Sequence, residues 1–217
     1  MNCETNEMTN RVPEAVIRRL PKYLNYLREL EREGELKISS FKMSCDLELN
    51  ASQIRRDLSY FGGFGQQGYG YTVSKLRQEI ENILGINEQH TMVIAGAGNI
   101  GQALMLYPSF KAQGYEIRAA FDISPERVGK SYGGVEVFHM SKLRDYIREN
   151  EIEIGVIAAP KESAQTIANE MIEAGVRGIW NYAPTDVRSE AKVAIENVHL
   201  NDGLYVLTYK MKENLGE

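Results

Sequence analysis

The chain has no apolar run approaching the ~18 residues that a membrane span needs, and its first residues lack the apolar block of a signal peptide. Its two cysteines, Cys3 and Cys45, give neither a disulfide framework nor a metal-ligand spacing, and read as a terminal thiol and a small helical hydrophobe. Histidine is as scarce: His90, His139 and His199 are the only three, and none has a carboxylate at a sequence spacing that suits catalysis. Together these absences predict a cytoplasmic protein with no membrane and no metal partner. The chain also lacks a positive excess, with a net charge of −5. That excludes less than it suggests, because residues 1–85 carry 12 basic and 12 acidic side chains and are neutral. The other 13 basic and 18 acidic residues give the rest of the chain all of the −5. A nucleic-acid surface would need local clustering of the basic residues, which the total neither shows nor forbids.

What is present is an ordinary core-forming composition, 43% hydrophobic and 25% charged in 217 residues, enough for one or two domains. Pro13 opens a helix predicted to run to about residue 33, where Gly34 ends it. Val16, Ile17, Leu20, Leu24, Leu27 and Leu30 make its apolar stripe, and Pro21 must kink it or start a new segment. A second helix is expected over 38–47, capped by Ser39 or Ser40, with Phe41, Cys45 and Leu47 inward. Asn50 caps a third, with Gln53 as its capping-box partner. There Ile54, Leu58 and Phe61 recur at i, i+4, i+7, which leaves Ser52, Gln53, Arg55, Arg56 and Ser59 outside. The glycine-rich stretch 62–71 follows, predicted as a hairpin with a protruding tip, and then a helix capped by Ser74. Three short helices and such a hairpin are the order of a winged helix-turn-helix, whose third helix enters the major groove. Guanidinium groups at 55 and 56 beside small polar groups suit guanine edges and phosphates, with Lys75 and Arg77 following the hairpin.

After a junction at 85–89 the pattern changes. Met92-Val-Ile-Ala95 reads as a buried parallel strand, and Gly96, Ala97, Gly98, Asn99, Ile100 and Gly101 follow with G-x-G-x-x-G spacing before a helix. Gly96 makes the turn, Gly98 lets backbone approach a pyrophosphate, and Gly101 lets helix and strand pack. A second strand, 115–122, ends in Asp122, 21 residues after Gly101. A carboxylate there accepts the ribose hydroxyls of NAD(H), or else simply caps the turn that follows; Arg127 weakens any exclusion of NADP(H). Strands over 134–138, 152–159, 176–181 and 191–198 continue the rhythm of a Rossmann doubly wound parallel sheet. Ala158-Ala159-Pro160 and Asn181-Tyr-Ala-Pro184 lie at carboxyl ends of strands and are candidate nicotinamide-side loops. The predicted organisation is a DNA-binding domain over 1–85, an NAD(H)-binding domain over 86–199, and over 200–217 a helix carrying Leu204, Leu207 and Met211. That helix packs either on a second subunit or back on its own sheet.

A hydride-transfer enzyme needs a proton donor near its substrate. Tyr71-Thr-Val-Ser-Lys75 matches Tyr-x-x-x-Lys, but it precedes the glycine loop and lies in the expected wing. Six strands also leave no room for a substrate domain, so the chain is expected to bind a dinucleotide without turning it over. The competing readings are an NAD-dependent oxidoreductase with an accessory N-terminal domain, and a CoA- or nucleotide-binding domain with no redox sensing.

Arg55-Arg-Asp-Leu-Ser-Tyr-Phe-Gly62, the wing Gly68-Tyr-Gly-Tyr71 and Tyr107-Pro108 make the chain resemble the Rex family of redox-sensing transcriptional repressors, over nearly its whole length. The resemblance implies a homodimer that senses the NADH/NAD+ ratio, represses genes of fermentation and respiration when NADH is low, and leaves double-stranded operator DNA as NADH rises. It adds Tyr60, Gly68 and Tyr69 to the DNA-binding residues Ser52, Gln53, Arg55, Arg56 and Ser59. It makes Tyr107 responsive to the nicotinamide, beside Ala159, Pro160, Asp122 and the glycine loop. It also implies a C-terminal helix exchanged between subunits. The chain departs from the family at His199, where many relatives are acidic, and near Asn25, where they are basic. A neutral His–Asn contact is the expected substitute for an ion pair there.

Overall fold

The computed structural model describes residues 12–62 and 70–215, with side chains to residue 214. Gly68 and Tyr69 of the expected wing, and Cys3, lie outside the described residues. The chain divides into two compact units, Met1–Asn87 and Glu88–Glu217.

The first unit contains α1 (Glu14–Ile17), α2 (Leu20–Arg32), β1 (Lys37–Ile38), α3 (Ser40–Leu47), α4 (Ala51–Ser59), β2 (Tyr71–Thr72) and α5 (Val73–Leu84). Pro21 sits in the first turn of α2, where its missing N–H costs nothing, so it opens a new helix rather than kinking one. The break takes Ile17 off the apolar stripe and leaves it 45% exposed, while Leu20, Leu24, Leu27 and Leu30 are buried. Tyr23, which the stripe omitted, is fully buried among them. β1 pairs antiparallel with β2, Ile38 opposite Tyr71, so the second helix begins two residues later than its pattern implied. A Cβ on Gly70, whose φ is +72°, would lie 2.5 Å from the Ile38 carbonyl oxygen; this pairing closes only with glycine there.

Three further sequence expectations fail in this unit. Phe41 and Cys45 are exposed, and Met43 and Leu47 are the inward pair of α3. Both pairs are four residues apart, so periodicity alone could not choose between the stripes; the cap at Ser39, which accepts the Lys42 N–H at 3.0 Å, sets the phase. Ser74 does not cap α5, because Thr72 is pinned in β2 and Val73, 1% exposed, already starts the helix. Among the described residues Gln53 closes no capping box with Asn50, whose side chain instead takes the Ser52 N–H at 2.8 Å.

The second unit contains β3 (His90–Ala95), α6 (Asn99–Met105), α7 (Ser109–Ala112), β4 (Tyr115–Asp122), β5 (Ser131–Tyr132), β6 (Val135–His139), α8 (Leu143–Glu149), β7 (Ile154–Ile157), α9 (Lys161–Ala174), β8 (Gly178–Asn181), β9 (Ala194–Asn197) and α10 (Asp202–Leu215). The sheet order is β5-β6-β4-β3-β7-β8-β9. Every neighbouring pair is parallel except β5–β6, an antiparallel edge hairpin that the sequence pattern did not announce. One face buries Val93, Phe121, Ile157 and Ile179 with Leu143, Ile147 and Met171 of α8 and α9. The other buries Met92, Ile94, Ala120 and Val156 with Met105 of α6. Strand order reverses between β3 and β7, and the crevice at their carboxyl ends is where a doubly wound sheet takes its ligand. α10 exposes every described side chain, including Leu204, Leu207 and Met211. Among the described residues no helix is long and apolar enough to cross a membrane, and no group of three or more His, Cys, Asp or Glu could hold a metal.

Candidate functional sites

The chain leaves β3 through Gly96 at φ +102°, and a Cβ there would stand 2.3 Å from the Ala158 carbonyl oxygen. The turn is therefore pressed against the segment that follows β7, and the two sides of the switch point meet. A Cβ on Gly101 would lie 1.9 Å from the Gly96 carbonyl oxygen, so α6 can seat on β3 only with glycine. Gly98 differs from both. Its φ of −73° suits any residue, and a Cβ there would meet nothing within 4 Å. The protein's own packing does not require this glycine, and the space in front of its backbone is open to a ligand. Gln102 braces the loop from behind, donating through Nε2 to the Ala97 carbonyl at 2.8 Å.

Asp122 closes β4 and is 5% exposed. Its Oδ2 accepts the Ala97 N–H at 2.7 Å and its Oδ1 the Ser124 N–H at 2.8 Å. Arg127 Nη1 stands 3.2 Å from Oδ2. Burial alone would raise the carboxyl pKa, but the Ser124 and Ala97 N–H groups and the Arg127 charge outweigh it and hold the group below the usual range. The turn-capping role weighed against the ribose role is thus present, and Asp122 also bolts the glycine loop to its neighbouring strand. The bolt was legible only once β3 and β4 were known to be adjacent and parallel, since Ala97 and Asp122 are 25 residues apart.

Of the two candidate nicotinamide-side loops, Ala159 is 9% exposed and Pro160 precedes the first turn of α9. Asn181 is fully buried and engaged by its own loop and by β9, donating to the Thr185 carbonyl at 2.6 Å and to Asn197 Oδ1 at 2.8 Å. Tyr107 is 53% exposed and stacks edge-on with Phe110 at 4.8 Å. Phe110 continues to Trp180 at 5.8 Å, and Trp180 to Tyr182 at 4.8 Å. Two histidines do have carboxylate neighbours that sequence spacing hid. His90 Nδ1 is 3.0 Å from Glu153, but at the amino end of β3, away from the carboxyl-end crevice. His199 Nε2 meets Asp186, an acid of its own unit, at 2.9 Å.

The second candidate site is the outer face of α4. Ser52, Arg55, Arg56, Ser59 and Tyr60 are exposed there and Gln53 is half-buried. Beneath them Asp57, 2% exposed, is held by Arg19 Nε at 2.6 Å, Arg19 Nη2 at 2.8 Å and the Tyr23 hydroxyl at 2.7 Å. Burial first, and then this carboxylate, push the Tyr23 hydroxyl well above its ordinary pKa, so it stays a donor at any physiological pH. Sequence periodicity marked Ile54 and Leu58 as inward but passed over Asp57, because a carboxylate on a buried face has no hydrophobic signal. Arg55 Nη1 donates to Ser40 Oγ at 3.0 Å, and Arg56 makes no ion pair among the described residues. Arg77 is spent inside the unit, with Glu31 at 2.7 Å and with Glu81, and does not extend the basic face as its sequence position implied.

Two family models match the chain: a "CoA binding domain" over residues 87–185 and a "Putative DNA-binding protein N-terminus" over residues 11–59. The redox-sensing transcriptional repressor Rex of Caldicellulosiruptor saccharolyticus is 44% identical over 94% of this chain and 93% of its own length. That of Clostridium perfringens is 46% identical over 92% of this chain and 94% of its own. Among solved structures, RSP in complex with beta-NAD+ and operator DNA is 43% identical over 94% of both chains, with a TM-score of 0.88. RSP in complex with beta-NADH is 40% identical over 94% of this chain and 95% of its own, with a TM-score of 0.87.

Proposed function

Since the chain belongs to the Rex family of redox-sensing transcriptional repressors, we propose that it binds operator DNA through the outer face of α4 and leaves it when NADH replaces NAD+ in the crevice beside Gly98. It is a repressor and not an enzyme. One observation carries the cofactor half of this reading: Gly98 is a glycine that nothing in the chain's own packing demands, at the switch point of the sheet. Loop residues Asn99 and Ile100, at the start of α6, present backbone N–H groups there between Gly96 and Gly101, while Ala97, whose N–H is taken by Asp122, lines the loop with its backbone. Asp122 fastens the loop to the end of β4 and stands where a ribose is met, with Ala159 and Pro160 across the crevice. Tyr107, half-exposed, lies on the nicotinamide side.

The nicotinamide is positive when oxidised and neutral when reduced. Aromatic and apolar groups around Tyr107 penalise the charged form by withholding water from it. A difference of ~100-fold in affinity corresponds to about 2.7 kcal/mol, a modest demand on one charge in a poorly solvated site. Only this differential affinity can shift the protein between a DNA-binding and a released arrangement. On the DNA side, Arg55 and Arg56 reach base edges or phosphates, with Ser52, Gln53, Ser59 and Tyr60 around them and Gly68 and Tyr69 of the wing on the backbone. α10 packs on a second copy, since a palindromic operator is met by a twofold dimer, and the exposed Leu204, Leu207 and Met211 give it an apolar surface to bury. The work is cytoplasmic, where operator DNA is.

A gel shift on a palindromic operator tests this, with NAD+, NADH and coenzyme A titrated separately. NADH alone is expected to release the DNA. Release by coenzyme A, or by neither nicotinamide form, would sink the sensor reading.

A further inference from the structure

Of the polar groups on the outer face of α4, one reaches a different helix. The Ser52 hydroxyl donates back to its own cap, Asn50, at 2.6 Å, and the Ser59 hydroxyl to the Arg56 carbonyl at 2.7 Å. Arg55 instead donates through Nη1 to Ser40 Oγ, at the start of α3, at 3.0 Å. Both ends of that bond stand on fixed frames. α4 is tied from below by Asp57 to Arg19 and Tyr23. α3 is capped at its start by Ser39, and its last carbonyl, on Leu47, accepts Lys22 Nζ at 2.7 Å. The neighbouring serines therefore divide the work, Ser39 ending the helix backbone and Ser40 left free to face α4.

We infer that Ser40 is a positioning residue for operator reading: it aims the Arg55 guanidinium, and the aim gives this arginine its sequence selectivity. The inference rests on the DNA-binding reading above. A guanidinium has five N–H donors in a planar fork. With one of them held by Ser40, the plane of the fork is fixed and the remaining donors can meet a guanine edge two at a time. An arginine with no ion pair among the described residues, such as Arg56, serves any phosphate it can reach. Fixing the plane beforehand removes a rotamer loss from binding, and it does so only where the base geometry matches.

The test is a double-mutant cycle on the full chain, with Ser40→Ala, Ser40→Thr, Arg55→Ala and the Ala–Ala pair. Binding is measured on a palindromic operator and on scrambled DNA of the same length, with NADH titration and thermal unfolding as controls on folding. Ser40→Ala is expected to weaken operator binding by about three- to ten-fold, the range of one hydrogen bond, and to leave scrambled DNA nearly unchanged. Ser40→Thr should restore binding, and Ser40→Ala should add nothing once Arg55 is alanine. Full additivity, or equal loss on both DNAs, would overturn the inference and make Ser40 a phosphate contact in its own right. A wild-type chain that binds neither DNA would overturn the repressor reading and this inference with it.

Discussion

At the scale of single residues, the three loop glycines make different demands, and substitution should separate them. Gly101→Ala sets a Cβ 1.9 Å from a backbone oxygen, so α6 must move off β3; a loss of about 2 kcal/mol or more is expected in thermal unfolding. Gly98→Ala meets nothing within 4 Å and should leave the unfolding midpoint almost unchanged while costing NADH about ten-fold or more in affinity. Equal affinity in the Gly98 variant would remove the ligand from that space. The spacing of these glycines was legible in the sequence; which of them serves the fold and which serves a ligand was not, because that depends on Ala158 and on empty space. Asp122 gives a pH test. Its folded pKa lies below the unfolded value of about 3.9, so its contribution to stability is complete above that pH and is lost as pH falls through the folded value. Unfolding followed from pH 6 down to 2 should show a steeper acid limb for the wild type than for Asp122→Asn. Parallel limbs would mean that the Ala97 and Ser124 bonds do not depend on the charge.

At the scale of elements, the face of α4 proposed to read DNA is exposed while its other face is anchored through Asp57. Asp57→Ala leaves Arg19 and Tyr23 without their acceptor, and breaking such a buried pair costs about 3 kcal/mol. Operator binding is therefore expected to disappear while NADH titration stays at its wild-type value, since Asp57 belongs to the first unit. Loss of NADH binding as well would mean that the variant misfolds beyond the first unit. The helices and strands were mostly legible from apolar spacing, and the errors share a cause. α3 has two possible stripes, and the Ser39 cap chose the one bearing Met43 rather than Phe41. α5 starts at Val73 rather than at a serine, because β1 claims its preceding residues. Short strands such as β1, β2 and β5 are two residues long and have no period to read.

At the scale of the whole molecule, α10 exposes every described side chain, and the proposed dimer would bury it. Removing residues 202–217 is expected to give a monomer in sedimentation and to weaken operator binding by about a hundred-fold, because two linked half-sites bind far more tightly than one. A truncated chain that stays dimeric would place the interface elsewhere. The order of first unit, glycine loop and terminal helix was legible in the sequence; what would cover α10 was not, since exposed leucines do not name a partner. The bond from Asp122 to Ala97 reaches further than the loop it steadies. On the proposed function it braces the part of the crevice that would meet the adenosine and phosphates, which are the same in the oxidised and the reduced ligand. A frame that holds the common half firmly is filled whichever form is present, so the two forms compete for one seat. Doubling both leaves the outcome where it was. On that proposal the protein would work as a comparator, indifferent to the size of the nicotinamide pool, and a cell growing fast or slowly would be judged against the same set point. ADP-ribose, which has the common half alone, should displace both forms and blind the comparator.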